Sequence, residues 1–361
     1  MTKLFMDIHI IQTVPPSCVN RDDTGSPKTA TYGGVQRARV SSQSWKRAMR
    51  GVFKEHFNES ELGLRTKKIL DLVADAIVKL DASQSSDGSL ELAEKVVGAT
   101  GVQTKDGESK ALFFMSRKQA DNLAKLATSE DFDSKSREGK TKAKEALREG
   151  TAVDTAFFGR MVADDPSLNT DASSQVAHAL STHQVDNEYD YFTAVDDCSP
   201  EDSAGAGMIG TIEYNSSTLY RYATVAIHEL NRELAACTEL TAKAVMEFAR
   251  AFATSMPDGK KNTFANATPP DMILVCLRED QPINLVGAFE NPIQSREGFA
   301  KKSVQELCNY ANGVYDNWYG RPSIAWAVSN DCTCAETEKL SFFDLLAAVQ
   351  KEVAARLSNE E

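Results

Sequence analysis

Basic side chains concentrate in one short segment near the start of the sequence. Six of them fall between Thr24 and Arg50, and the same segment contains no Asp or Glu. Lysine and arginine neutralise phosphates, and the hydroxyl and amide side chains at 41–44 are donors of the kind that contact phosphate and sugar. The segment therefore predicts a local site for a polyanion. The alternative is a solvent-exposed face whose charges are only hydrated.

The second half of this segment has the spacing of an amphipathic helix over about 42–57, with Ser42 or Ser44 as its N-cap. The apolar positions that share one face are Trp45, Ala48, Met49, Val52 and Phe53. The basic positions of another face are Lys46, Arg47, Arg50 and Lys54. The start of this helix and its basic face are expected to adjoin the basic loop, a geometry that suits phosphate.

Other residue types that carry chemistry give weaker patterns. His183 lies in a polar turn and is a candidate donor to a phosphate or a base, whereas His178 is five residues away, a spacing that does not place both on one helix face. The adjacent acids Asp22-Asp23 and Asp196-Asp197 could bind Mg²⁺, but such pairs in loops are more often solvated. The sequence contains no phosphate-binding loop, dinucleotide fingerprint or hydrolase motif, so no catalytic residue and no cofactor are predicted.

The seven cysteines are scattered and form no C-x-x-C pair. Cys332 and Cys334 make a C-x-C without a second half, so the sequence predicts reduced thiols in a cytoplasmic protein and no structural zinc.

The composition is that of a folded protein. The chain has 361 residues, of which 42% are hydrophobic and 25% charged. Its net charge is −12, but residues 1–50 carry +5, which leaves −17 for the remainder. We find no apolar run long enough for a membrane span and no secretory signal. An acidic chain with one basic segment indicates a local polyanion site.

The expected elements form an α+β fold. Alternation predicts a first strand over Leu4–Gln12, ended by Pro15-Pro16. Residues 60–150 are predicted as a helical insertion, and a projecting hairpin is expected to lead into a long strand over 211–227. Helices and short strands then alternate to the end of the chain, where Ser341 and Asp344 predict a capped last helix.

Several longer motifs resemble those of one known family, CasC, the backbone subunit of the type I-E CRISPR-associated Cascade complex. The resemblance extends nearly end to end and is weakest in the helical insertion and the last helix. The matching segments are PSCVNRDDTGSPKTATYGGVQRARVSSQSWKRAMR at 16–50, AHALSTHQVDNEYDYFTAVDD at 177–197, SSTLYRYATVAI at 216–227, KKNTFANATPPDMILV at 260–275 and GAFENPI at 287–293.

The resemblance implies an RRM-like (ferredoxin-like) palm with an inserted helical fingers domain and a protruding β-hairpin thumb. The implied boundaries are palm 1–58, fingers 59–180, thumb 186–220 and second part of the palm 221–361. Copies would stack along CRISPR RNA, grip its phosphates and kink it, leaving bases free to pair with target DNA. No catalysis is implied. The implied partners are CRISPR RNA, target DNA through the guide, other copies of the chain, the large, small, end-capping and RNA-processing Cascade subunits, and a recruited helicase-nuclease.

The resemblance also extends the list of candidate RNA-binding residues. Arg160-Met161 match a G-R-M motif whose methionine packs against a displaced base, and Phe192 is a second candidate wedge. Arg296 keeps a basic position of the family, whereas Gln294 stands where a lysine is expected. The full set is Arg21, Lys28, Ser42, Gln43, Lys46, Arg47, Arg50, Arg160, Met161, His183, Phe192 and Arg296.

Two alternatives remain open at this point. One is an RNA-cleaving backbone enzyme on the same scaffold that uses a thumb aspartate; the candidates are Asp186, Asp190, Asp196 and Asp197. The other is a stand-alone RRM-like RNA chaperone, which would be a monomer that needs no partner subunits.

Overall fold

The computed structural model describes residues 2–162, 165–194 and 208–359. In these ranges the strands are β1 Phe5–Ser17, β2 Thr29–Tyr32, β3 Val35–Val40, β4 Gly63–Thr66, β5 Thr104–Lys105, β6 Glu108–Ser109, β7 Phe113–Ser116, β8 Ser174–Val176, β9 Ala179–Ser181, β10 Glu188–Ala194, β11 Met208–Ala226, β12 Met272–Arg278, β13 Ile324–Val328 and β14 Glu338–Lys339. The helices are α1 Ser42–His56, α2 Ile69–Leu80, α3 Ser86–Thr100, α4 Arg117–Ala127, α5 Arg137–Arg148, α6 Val153–Phe158, α7 Ile227–Glu233, α8 Thr238–Thr254, α9 Lys261–Phe264, α10 Ala300–Val314 and α11 Phe342–Ser358. One π-helical turn, Tyr315–Tyr319, directly follows α10.

β1 lies inside a large sheet of order β14-β13-β12-β1-β11-β9-β3-β2. It runs antiparallel to both β11 and β12, whereas β14 is parallel to β13. The prediction that Pro15 and Pro16 end the first strand is wrong, because β1 continues to Ser17. Its register with β11 shifts between Val14 and Ser17, and proline is tolerated at such an irregularity because it has no N–H to donate to the ladder.

The predicted alternation of β1 is present, and its side chains enter two hydrophobic cores on opposite faces of the sheet. Met6, Ile8 and Ile10 are buried in a core shared with α1, α8 and α11. Ile11 points the other way, into a core shared with α10. Because side chains of a strand alternate between its faces, both faces of the sheet are covered by helices.

Helix α1 packs on the first of these cores with the predicted apolar stripe. Trp45, Met49 and Phe53 are buried, as the i, i+4, i+8 spacing requires. The guanidinium carbon of the fully buried Arg221 on β11 lies 3.6 Å from the centroid of the Trp45 ring and 4.7 Å from that of Phe252. Arg221 thereby fixes α1 and α8 to the sheet, and burial lowers its pKa to about 9.

The second core contains a buried polar network on β1. Asp7 accepts hydrogen bonds from the Tyr222 hydroxyl and the backbone N–H of Ile283, both at 2.9 Å. His9 Nδ1 lies 2.9 Å from the Tyr220 hydroxyl. Burial raises the pKa of Asp7 to about 6 and lowers the pKa of His9 to about 3, so both side chains are held in their neutral forms over a mildly acidic range.

Residues 69–168 contribute a third core, built mainly from α2, α3, α4 and α5. This agrees with the helical character predicted for residues 60–150. Within that block, Gly63–Thr66 form β4 and pair with β7, and the first helix begins at Ile69. In the polar run after Ser129, helix α5 buries Ala143 and Leu147.

A long hairpin connects β10 to β11. Glu188–Ala194 pair with Met208–Tyr214, and the following residues of β11, from Asn215, pair with β1. The hairpin therefore extends the central sheet. Phe192 lies opposite Gly210, and a Cβ at Gly210 would stand 2.4 Å from the Phe192 ring, so a side chain at this position would displace the ring.

The predicted α+β class is confirmed in its coarse form, as a mixed fold of helices around a large, mainly antiparallel sheet. Its division into palm, fingers and thumb stays a prediction. Among the residues that the structure describes, the helices are all too short or too polar to cross a membrane.

Candidate nucleic-acid interface

The basic loop is joined to the start of α1 by hydrogen bonds. The Asn20 side-chain oxygen accepts from the Ser41 backbone N–H at 2.9 Å, and the Lys28 N–H donates to the Asn20 carbonyl at 2.8 Å. The N-cap is Ser41, not the predicted Ser42 or Ser44: its backbone is extended, and its hydroxyl accepts from the Ser44 N–H. Ser42 and Gln43 thus lie in the first turn, whose N–H groups lack intrahelical partners and favour an anion.

The basic residues of α1 lie in unequal surroundings. Arg47 is exposed. Lys46 is half-buried, with its ammonium 5.6 Å from the centroid of the Phe158 ring, and burial lowers its pKa. Arg50 donates through Nε to the buried Asp154 carboxylate at 3.1 Å, which also accepts from the Gly63 N–H. Arg50 therefore bridges α1 to the neighbouring helical region as well as facing the cleft described next.

A surface cleft of about 950 Å³ lies between the loop over 19–25, α1 and the turn over 256–259. Its basic side chains are Arg21, Arg47, Arg50 and Lys54, and its acidic ones are Asp22, Asp23 and Asp258. Asp22 is engaged within its own loop, where it accepts from the N–H groups of Thr24 and Ser26. Asp22 also accepts from the Thr24 hydroxyl, and this bond is the largest cause of a lowered pKa of Asp22, with the backbone bonds adding to it. Three of the four basic side chains of the cleft lie on α1, whereas its acidic side chains lie on the loop and on the turn over 256–259.

A second basic group lies at the β2–β3 edge. Arg39 Nη1 lies 3.1 Å from His178 Nδ1, and Arg39 Nε donates to the Thr29 carbonyl. Burial, followed by the charges of Arg39 and Lys28, lowers the pKa of His178. The sequence analysis included Lys28 as a candidate but missed Arg39 and His178, although Arg39 belongs to the acid-free segment.

Arg37, from the same segment, is not a surface charge. Its guanidinium donates to the carbonyls of Ser181 and Phe289, and the side chain is fully buried. Nearby, Gly33 has φ +60°, and a Cβ there would stand 1.7 Å from the Glu290 carbonyl oxygen. The β2–β3 turn is thus packed tightly against the segment around residue 290. Arg37, one of the six basic residues between Thr24 and Arg50, stabilises this contact.

His183 makes its contacts within the protein, and the RNA contact predicted for it stays a prediction. Nδ1 donates to the Gln184 carbonyl at 2.7 Å, and Nε2 accepts from the Thr218 N–H at 3.1 Å. The ring stacks on Phe299 with 3.7 Å between centroids. Burial lowers the pKa of His183, and with both nitrogens engaged the neutral ring has no donor left for a phosphate.

Arg160 and Met161 have opposite environments. Arg160 is 6% exposed and donates to the carbonyls of Leu168 and Phe114. Burial lowers its pKa to about 10. Arg160 therefore holds the loop in place, and a direct RNA contact for it stays a prediction. Met161 is 84% exposed, and a methionine in that position is available to pack against a base.

The hairpin carries aromatic side chains on both faces. Phe192 is half-buried because its ring lies on Gly210. Tyr189 and Tyr191 occupy the opposite face and are 68% and 63% exposed. The sequence analysis did not select these tyrosines; in a strand, their odd-numbered positions place them on the face opposite to Phe192.

The remaining candidates lie at the surface. Arg296 is exposed. At Gln294, where a lysine was expected, the carbonyl accepts from the ammonium of Lys302 at 3.1 Å, so a positive charge is present beside this position from another residue. Of the aspartates considered for cleavage, Asp186 and Asp190 are exposed, whereas Asp196 and Asp197 lie outside the described residues.

These features define a class of chain: helices around a large, mainly antiparallel sheet, with basic residues along a cleft and exposed apolar side chains on the β10–β11 hairpin and on the loop after α6. The profile of the CT1975-like protein family matches residues 6–351. The chain belongs to this family.

Two solved structures are similar over nearly the whole chain. One is a chain of a "CRISPR RNA-guided surveillance complex, pre-nicking", 32% identical with a TM-score of 0.80, which aligns with 97% of this chain and 100% of that one. The other is a chain of a "CRISPR RNA-guided surveillance complex", 30% identical with a TM-score of 0.63, covering 98% and 99% respectively. No curated protein sequence matches the chain.

Proposed function

We propose that this chain is a CRISPR RNA-binding subunit of a Cascade-type surveillance complex. The observation that carries the proposal is the similarity, over almost the full length of both chains, to a subunit of an RNA-guided surveillance complex. The motifs of the CasC family favour the finer assignment to the backbone subunit of a type I-E complex. In that role, copies of the chain assemble along the guide in the cytoplasm, together with the other Cascade subunits and a helicase-nuclease, for antiviral defence.

The basic cleft is the proposed phosphate site. Arg21, Arg47 and Lys54 are exposed, and all three line the cleft, which extends along α1 from Ser44 to Lys54. Ser42 and Gln43 add backbone and side-chain donors at the first turn of α1. Contacts of this kind are sequence-independent, as required for a subunit that accepts any guide, and sequence is then read by base pairing.

Exposed apolar side chains are the proposed base contacts. Met161 on its loop and Tyr191 on the hairpin can pack against unstacked bases, an interaction that tolerates any sequence. Phe192 contributes indirectly, because its ring packs on Gly210 and supports the strand pair that presents Tyr191. Lys28, Lys46 and Arg296 are further proposed backbone contacts.

The salt dependence of RNA binding tests this site. The triple variant Arg21→Ala, Arg47→Ala, Lys54→Ala, assembled with its partner subunits, is expected to bind guide RNA more weakly for every sequence. The slope of log K against log salt should fall by about 0.7 per lost contact, or about 2 per copy. Arg50 is left intact because its removal would leave the buried Asp154 unpaired.

The matched control is Lys79→Ala, Lys95→Ala, Lys140→Ala, which removes the same charge from exposed positions on α2, α3 and α5. An unchanged slope in the cleft variant, or an equal decrease in the control, would refute the proposed site.

We also propose that the chain has no catalytic role. The alternative, an RNA-cleaving backbone enzyme, predicts regularly spaced cuts when the assembled complex is incubated with complementary RNA and Mg²⁺. Asp186→Asn and Asp190→Asn should then abolish those cuts. Intact RNA after prolonged incubation supports the non-catalytic role.

A further inference from the structure

Three cysteines that are distant in sequence meet beside α10. Cys308 lies on the helix, and Cys332 and Cys334 lie in the loop between β13 and β14. Their three sulfur atoms are all within 4.8 Å of one another. The sequence analysis found no further cysteine to accompany the C-x-C motif, and this is wrong. The fold places Cys308, which precedes Cys332 by 24 residues, beside the motif.

The sulfur spacing is the first argument for a shared ligand. Cys308 Sγ lies 3.7 Å from Cys332 Sγ. A disulfide requires about 2.05 Å, so these atoms are not bonded. Two thiolates on a tetrahedral Zn²⁺ with bonds of about 2.3 Å lie about 3.8 Å apart. The separation of Cys308 and Cys332 thus matches that of two ligands of one zinc ion, and Cys334 Sγ lies within 4.8 Å of both.

The second argument is that the group is fixed in place and largely buried. Cys308 and Cys332 are buried, and Cys334 is half-buried. The loop that carries the C-x-C is tied to α10 by a hydrogen bond of 3.0 Å from the Ala335 N–H to the Asn312 side-chain oxygen. The three sulfurs therefore face one another because the fold holds both segments, which is the preorganisation that a metal site needs.

We propose that Cys308, Cys332 and Cys334 bind one Zn²⁺ as three thiolates, with a water in the fourth position on the half-exposed side of Cys334. Thiolate ligands at tetrahedral spacing select zinc over hard cations. Binding joins the β13–β14 loop to α10 and releases the thiol protons, so occupancy decreases at acidic pH. The site is independent of the basic cleft and of the proposed RNA contacts.

The direct test is the metal content of the full-length protein, purified without chelator from zinc-supplemented cells. Elemental analysis is expected to give about one zinc per chain. Cys332→Ser should lose the zinc, whereas Cys237→Ser, at an exposed cysteine outside the cluster, should retain it. A mercurial reagent should release the wild-type zinc stoichiometrically, and cobalt substitution should give a thiolate charge-transfer absorption.

A second measurement uses only the wild-type protein, so its result does not depend on whether the Cys332→Ser variant folds. In the wild-type protein, alkylation of Cys334 should be slow when zinc is bound and fast after a chelator is added. Zinc-free protein after supplementation, zinc retained in a folded Cys332→Ser variant, or a mass two hydrogens lower from a Cys308–Cys332 disulfide would each overturn the proposal.

Discussion

Asp7 and His9, two residues apart on β1, are predicted to oppose each other in the pH dependence of folding. The folded pKa of Asp7 is raised to about 6, so its contribution to stability is present below the unfolded value of 3.8 and is lost as the pH rises through 6. The folded pKa of His9 is lowered to about 3, so its contribution is present above 6.5 and is lost as the pH falls.

Between about pH 4 and 6 these two effects nearly cancel. In that range the native state holds the pair's proton on Asp7, whereas the unfolded chain holds it on His9, so the proton difference from the pair is close to zero. Asp7→Asn removes the pH-dependent contribution of Asp7 and leaves that of His9. Relative to the wild type, the variant should lose about 2.5 kcal/mol of its free energy of unfolding between pH 7 and pH 4.

The assay is urea unfolding of both proteins at pH 7, 6, 5 and 4, read as the difference between the two free energies so that all other titrating groups cancel. Asp75→Asn, at an exposed position on α2, is measured in parallel as the matched control for the loss of one carboxyl group. A pH-independent difference for Asp7→Asn would refute the reasoning, because Asp7 would then have its ordinary pKa in the fold.

Three further changes have defined outcomes. Gly210→Val places a side chain where the Phe192 ring lies, so the ring should be displaced into solvent and the hairpin should become more sensitive to limited proteolysis. Asp154→Ala leaves Arg50 and a buried N–H without their acceptor and should cost about 2 to 4 kcal/mol in urea unfolding, whereas Asp154→Asn should cost less. Ser41→Ala removes the cap of α1 and should cost about 1 kcal/mol in the same measurement.

Local patterns in the sequence were sufficient to predict several elements. The stripe of Trp45, Met49 and Phe53 predicted α1 to within a residue of its observed end, because one apolar face at 3.6-residue spacing has few alternatives. Ser341 is the N-cap of α11, as predicted, and accepts from the N–H of Asp344. In each case the interaction that defines the element lies within a few residues of it.

The parts that could not be predicted depend on contacts between distant segments. Arg37, Arg160 and His183 have the residue types of an RNA-binding site, but all three are engaged by backbone groups, most of them far away along the chain. Composition cannot distinguish an exposed arginine from a buried one with satisfied donors. The Cys308–Cys332 approach is of the same kind, since it depends on how α10 packs against the loop after β13.

Strand β11 runs without interruption from the hairpin into the central sheet. The reach of the hairpin is therefore set by the number of β11 residues that pair with β10. Seven residues of β11 pair with β10 before the strand enters the sheet, and at about 3.3 Å per residue they reach roughly 23 Å beyond it. Removing two residues from each strand would shorten this reach by about 7 Å and keep Tyr191 on its present face. Removing one residue from each strand would move Tyr191 to the opposite face of the hairpin. The length of the hairpin can therefore change without moving Tyr191 to the other face only in steps of two residues.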